Sequence, residues 1–198
     1  MASPAEKGND MHEIRWHGRG GQGAVTSSKI LAAAAYRSGF EGVTAAPTFG
    51  AERRGAPVTA STRFDHAPIR MYSQVVEPNV VVVLDESLLA VANATAGLRP
   101  GGVIIVNTTR SRGELGLPDT IRVVTSDVTG AAESVGLIVG GEPMVNTAIL
   151  GSIAKATGLI TMESIGAAIS DAFPPAAAAK NIQAAQIAFD CTAAGGLP

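Results

Sequence analysis

The stretch His12 to Ser38, HEIRWHGRGGQGAVTSSKILAAAAYRS, decides the fold. Its first six residues alternate polar and apolar side chains as a half-buried strand does. The next six, Gly18 to Gly23, are too rich in glycine to continue that strand and predict a turn. From Ala24 onward Val25, Ile30, Leu31, Ala34 and Ala35 recur at helical spacing, and Gly39 stands where a C′ glycine ends a helix. The reading is strand, glycine loop, helix.

Working outward, Val43 to Ala46 reads as a short second strand, and the proline- and glycine-rich stretch Pro47 to Pro57 as a shaped loop. Val58 to Phe64 and Pro68 to Tyr72, joined by Asp65-His66-Ala67, predict a β-hairpin. Val80 to Leu84 and Gly102 to Val106 are unbroken apolar runs ending in Asp85 and Asn107, the pattern of central parallel strands covered on both faces. Ile121 to Thr125 adds a strand. Helices are expected over Asp127 to Val135, Met144 to Thr157, Met162 to Phe173 and Ala176 to Thr192. Together these predict an α/β protein: a single Rossmann-like domain with a mostly parallel sheet, a β-hairpin addition and C-terminal helices.

Composition narrows the class. At 198 residues the chain suits one domain, read as 12–192, with a flexible N-terminal tail over 1–11 and a loose C-terminal tail over 193–198. Hydrophobic residues make up 46% and charged residues only 16%, which favours a subunit with covered surface. The net charge of −2 removes the positive field that drives phosphate-backbone binding, so no nucleic-acid partner is expected. No apolar run reaches the roughly 18 residues of a spanning helix, so no membrane partner is expected either. One cysteine, Cys191, can build neither an internal disulfide nor a metal cluster. It reads as a small buried hydrophobe in an alanine-rich helix, and its solitude fits a reducing, cytoplasmic compartment.

Gly18-Arg19-Gly20-Gly21-Gln22-Gly23 satisfies G-x-G-x-x-G between a strand and a helix, where glycines permit a tight turn and backbone N–H groups can face a phosphate. The dinucleotide version needs an acid ending the second strand. Here Glu41 precedes that strand and Ala45-Ala46 end it, which disfavours NAD. Arg53 and Arg54 follow instead, and a guanidinium pair near the carboxyl edge of the sheet suits a further phosphate. NADP and coenzyme A both carry a pyrophosphate and a phosphomonoester, so charge placement leaves both open. Asp85 and Asn107 stand at strand carboxyl ends, where open α/β sheets place ligand contacts, and each taken singly reads first as a strand-end cap; Asn146 and Asn181 read as helix-terminal hydrogen bonders or ligand contacts. There is no G-x-S-x-G elbow or H-E-x-x-H, and His12, His17 and His66 lack metal-ligand spacing. No catalytic residue and no metal ligand is expected in this chain.

Four stretches, Ile14 to Gly23, Phe49 to Val58 (FGAERRGAPV), Ser73 to Pro78 ahead of VVVVLD, and Met144 to Gly151 (MVNTAILG), together resemble the gamma subunit of pyruvate:ferredoxin oxidoreductase and related 2-oxoacid:acceptor oxidoreductases. The likeness runs from Met11 to about Asp190. It implies a subunit, not catalytic alone, of a complex with alpha, beta and delta-type partners that oxidatively decarboxylates a 2-oxoacid to an acyl-CoA. Pyruvate is the default substrate, with phenylglyoxylate and 2-oxoisovalerate as alternatives. Thiamine diphosphate, magnesium and 4Fe-4S clusters would sit on partner subunits, and the acceptor would be ferredoxin or an NAD-reducing flavin subunit. Coenzyme A would be this chain's own cofactor. Carried onto this sequence, the resemblance places Gly20, Gly21, Gln22 and Gly23 in the loop approaching coenzyme A, Thr26 nearby, Arg53 or Arg54 on a phosphate, and Asn146 and Asn181 as polar contacts. The competing readings are a stand-alone NADP-binding oxidoreductase and a phospholigand-binding regulatory protein.

Overall fold

A computed structural model describes residues 11–47, 53–71 and 73–193. In chain order the elements are β1 (His12–Arg19), α1 (Ala24–Arg37), β2 (Gly42–Pro47), β3 (Pro57–Asp65), β4 (Val80–Val83), the single turn α2 (Leu88–Val91) and β5 (Val103–Asn107). A 3-10 turn at Arg112–Leu115 leads to β6 (Arg122–Ser126) and α3 (Val128–Ser134). The small pair β7 (Ile138–Val139) and β8 (Glu142–Pro143) precedes α4 (Val145–Thr157), α5 (Met162–Ala172) and α6 (Pro175–Cys191). The main sheet runs β2-β3-β1-β4-β5-β6. It is parallel from β1 to β6 and antiparallel across β2, β3 and β1.

β1 is longer than its glycines predicted. Gly18 and Arg19 still pair with Val58 and Pro57 of β3, and Gly20 bridges to Arg54, so only 21–23 are left for the turn. The antiparallel addition is present but uses other partners than expected. β3 has β1 on one side and β2 on the other, so no edge remains for Pro68 to Met71, which form no strand. That segment instead crosses the start of β2, where a Cβ on Gly42 would stand 2.1 Å from the Ala67 carbonyl oxygen. Tyr72 lies outside the described residues.

The alternation of β4 and β5 divides the core. Val80, Val82, Val103 and Ile105 pack with Ile14, Trp16 and Phe64 beneath α1, α3, α4, α5 and α6. Val81, Val83, Ile104 and Val106 face the other way onto Leu88 and Ala94. Both faces of these strands are apolar because both are buried. Among the described residues five helices cover one face, and the other is covered only by α2 with its flanking loops and by the 3-10 turn and loop between β5 and β6, through Leu115, Leu117 and Ile121. On the helical side Trp16 donates its indole N–H to Thr62 Oγ1 at 2.9 Å, and Thr62 donates to the Ser28 carbonyl at 3.0 Å, tying β1, β3 and α1.

Gly39 takes the left-handed conformation (φ 96°) that stops α1. The four C-terminal helix assignments agree within a residue or two at their ends. Met11, assigned to the tail, is buried, whereas Cys191 is exposed at the last turn of α6, where no further helix covers it. Residues 1–10 and 194–198, most of the two expected tails, lie outside the described residues. No helix among the described residues is long and apolar enough to cross a membrane.

Candidate functional site

The carboxyl ends of β1, β4 and β5 meet the starts of α3 and α4 around a cleft of about 820 Å³. Its walls are Arg19 to Gln22, Arg53 to Gly55, Asp85, Asn107 and Thr129, with the β7–β8 pair and Val145 closing one side. Open parallel sheets bind ligands outside the carboxyl ends of their strands, and the volume lies within the roughly 300–1,000 Å³ of small-molecule sites.

The glycine loop is zipped to the arginine loop. Gly20 donates to the Ala56 carbonyl at 2.9 Å and Gly55 donates to the Gly20 carbonyl at 3.0 Å. A Cβ at Gly20 would stand 2.2 Å from the Arg53 carbonyl oxygen, so only glycine lets the two backbones approach. Gly21 (φ 99°) faces open space in the cleft. Gln22 turns its side-chain oxygen back to accept from the Arg19 amide at 2.8 Å, fixing the turn. Gly23 is the α1 N-cap and supplies no side-chain acceptor, so the first-turn amides of α1 have no side-chain cap. Arg53 and Arg54 are exposed, and among the described residues neither forms an ion pair. Two guanidiniums without an acidic partner among the described residues thus stand beside the glycine turn, a chemistry suited to a phosphate.

Arg19, overlooked by motif reading because it occupies a variable place in the glycine pattern, organises the cleft. Its Nε lies 2.8 Å from Asp85 Oδ2, and its Nη atoms donate to the Gly55 carbonyl at 2.9 Å and to Ser87 Oγ at 2.6 Å. Burial opposes the Asp85 charge, but hydrogen bonds from the Ser87 hydroxyl and amide and the Arg19 guanidinium outweigh it, holding the carboxyl below its ordinary range. A carboxylate with a depressed folded pKa stabilises above its unfolded value, near 3.9, and loses that stabilisation as pH falls through the folded value. Asp85→Asn therefore lowers the melting temperature at pH 7 by a few degrees, for an ion pair of about 1 kcal/mol. In melts taken down to pH 2 the wild-type advantage narrows in the acid range; a pH-independent gap would remove Asp85 as the titrating anchor.

The remaining expected contacts stand behind the wall. Thr26 is exposed on the first turn of α1 but does not line the cleft. Asn146 is buried, and a Cβ on Gly23 would come within 2.7 Å of its Nδ2, so it supports the loop from behind. The Asn146 carbonyl accepts from Ser27 at 2.7 Å, joining α1 to α4. Asn181 is 4% exposed, accepts from Thr147 and donates to the Ala177 carbonyl at 2.8 Å, which uses both ends of its amide between α4 and α6. The cleft reaches neither asparagine. A polar residue in a helix reads alike in sequence whether it meets a ligand or another helix. Asn107 behaves as the strand-end cap expected of it: its amide donates to the Leu84 carbonyl and Thr129, and its oxygen accepts from the Val128 and Thr129 amides at 3.0 and 3.1 Å.

The strand arrangement explains why no acid follows β2 in the place a dinucleotide ribose requires. In the dinucleotide fold that acid ends the second strand, which lies parallel beside the first; here β2 lies at the outer edge, separated from β1 by antiparallel β3, and the parallel neighbour of β1 is β4.

Residues 13–191 match the family described as pyruvate ferredoxin/flavodoxin oxidoreductase. The chain belongs to that family. It is 52% identical over 187 residues to the pyruvate/ketoisovalerate oxidoreductases common subunit gamma of Thermococcus kodakarensis, covering 92% of this chain and 97% of the relative. The crystal structure of the Thermotoga maritima pyruvate oxidoreductase subunit PORC superposes with a TM-score of 0.79 at 33% identity, over 93% of this chain and 98% of that one. A more distant likeness in fold, at 20% identity and a TM-score of 0.70, covers 89% of this chain and 30% of a 2-oxoglutarate:ferredoxin oxidoreductase chain from Magnetococcus marinus, described with 2-oxoglutarate, coenzyme A and succinyl-CoA bound. The chain is thus a gamma-type subunit of a multi-subunit 2-oxoacid oxidoreductase.

Proposed function

We propose that the chain holds the nucleotide end of coenzyme A in the glycine-loop cleft, for a complex that oxidatively decarboxylates pyruvate or 2-oxoisovalerate to the acyl-CoA. The observation that carries this reading is the glycine turn locked beside Arg53 and Arg54, two exposed guanidiniums without an acidic partner among the described residues. The residues suit the ligand: Gly21 lets a pyrophosphate approach the backbone, and the arginines match a phosphomonoester. Coenzyme A supplies the thiol that takes up the acyl group. The chain's part is anchoring, because binding the remote end makes the meeting of thiol and acyl centre effectively unimolecular. Gly20, Gly21, Gln22, Arg53 and Arg54 form the binding face, Gly23 and Asn146 support it from behind, and Thr26 and Asn181 lie outside the cleft. Thiamine diphosphate, magnesium and 4Fe-4S clusters then belong to the alpha, beta and delta-type partners, with ferredoxin or an NAD-reducing flavin subunit as acceptor, in the cytoplasm.

Coenzyme A bound to the Magnetococcus relative supports this ligand over NADP. Isothermal titration of the purified complex is expected to give saturable coenzyme A binding and at least tenfold weaker NADP binding. Equal affinities, or a preference for NADP, would overturn the assignment.

A further inference from the structure

On the thinly covered face of the sheet, away from the glycine loop, lies a second cleft of about 450 Å³. Arg15 and His17 of β1 and Ser61 of β3 contribute to its wall, and the segment Ser73 to Val76 and the loop after α2 complete it. β1 alternates Glu13, Arg15, His17 and Arg19 onto one face, so this face is polar where the opposite one carries Ile14 and Trp16.

Two observations indicate an anion. Positive charge is in excess: Glu13 is shared by Arg63 and Arg99, at 2.8 Å each, and among the described residues Arg15 forms no ion pair. The Arg15 guanidinium instead donates to His17 Nε2 at 3.1 Å and to the carbonyls of Val76, Ala94 and Ala96. Independently, His17 is 4% exposed and its Nδ1 has no partner. Because Nε2 accepts from Arg15, the ring proton resides on Nδ1, leaving a buried donor unsatisfied. Such donors are rare in folded proteins and call for an explanation. Among the described residues no carboxylate lines the cleft, while Ala46, Pro47, Val75 and Val76 give it an apolar side.

We propose that this second cleft binds a small organic carboxylate, its charge against Arg15 and His17 and its hydrocarbon body against Val75, Val76 and Pro47. A carboxylate suits the site better than inorganic phosphate because half of the wall offers nothing to a fully polar anion. This site is separate from the glycine-loop cleft and does not depend on what binds there.

The test is titration of the full chain with isovalerate, followed by NMR of the imidazole rings, with the neutral isostere 3-methylbutan-1-ol as control. His12, which meets Phe40 edge-on, and His66, which stacks on it, act as internal references. Saturable movement of the His17 resonances at about millimolar isovalerate is expected, together with none from the alcohol. Arg15→Met should weaken binding at least tenfold. Because Arg15 also ties down three loop carbonyls, Gln74→Glu provides a second variant: Gln74 is exposed on the cleft wall, and a charge of like sign there should abolish the response without disturbing the core. Unmoved His17 resonances, or an equal response to the alcohol, would overturn the proposal. So would loss of the response in the assembled complex, since another subunit would then fill the cleft.

Discussion

Replacing Arg53 and Arg54 together by alanine raises the KM for coenzyme A about 100-fold, while decarboxylation measured without coenzyme A stays within twofold of the unaltered complex. Each charge-assisted hydrogen bond to a phosphate at an exposed edge contributes about 1.5 kcal/mol, roughly tenfold, and the two act on one ligand. Both side chains project from a loop whose backbone is held elsewhere, by Gly20 and by Arg19 at Gly55. The fold therefore tolerates their loss. Steady-state kinetics of the reconstituted complex distinguish the roles: a change confined to KM places the arginines in anchoring, whereas an equal fall in decarboxylation would place them in assembly or chemistry. The double lysine variant should recover part of the affinity, because it restores charge but not the planar fork. An unchanged KM would remove the arginine pair from the binding face.

Gly151→Ala is expected to lower stability by about 3 kcal/mol, a fall of roughly 6–12 °C in melting temperature. Gly151 lies within α4, and a Cβ there would stand 1.8 Å from the Ala185 carbonyl oxygen and 2.9 Å from the Phe189 nitrogen of α6. These are backbone atoms inside a helix and cannot swing aside as a side chain would. The two helices meet over Ala184, Ala185 and Ala188, all fully buried, so small residues on both sides set the close approach. The extra methyl must push α6 outward and open the contact along its length. Thermal melts followed by circular dichroism measure the effect, and a loss under 1 °C would show that α4 and α6 are not in backbone contact. The helix propensity of alanine favours the substitution by up to about 1 kcal/mol, so the clash must exceed that gain.

Sequence by itself determined most of the local elements and several of the residues that line the main cleft. Strand, glycine turn and helix over His12 to Arg37 follow from periodicity and from glycine's freedom at the turn, both properties of a short segment. Unbroken valine and isoleucine runs identified β4 and β5 because burial on both faces leaves no polar position. That Gly20, Gly21, Gln22, Arg53 and Arg54 come together was legible because the glycine loop and the arginine loop both follow strands at the carboxyl edge of the sheet.

Pairing was decided by the tertiary structure alone. β3 took β1 and β2 as neighbours in place of Pro68 to Met71, because a strand has only two edges and which segments reach them depends on the whole sheet. The same competition carried β1 through Gly18 and Arg19, whose pairing with β3 outweighs glycine's low strand preference. Asn181 turned to α4, Cys191 came to lie exposed, and Arg19 bridged β1 to Asp85, each fixed by residues distant in the chain. The second cleft exists because five helices gathered on one face and left Arg15 and His17 beneath a thin cover on the other. A residue's type carries its chemistry, but its partners are set by packing, and packing is a property of the complete fold.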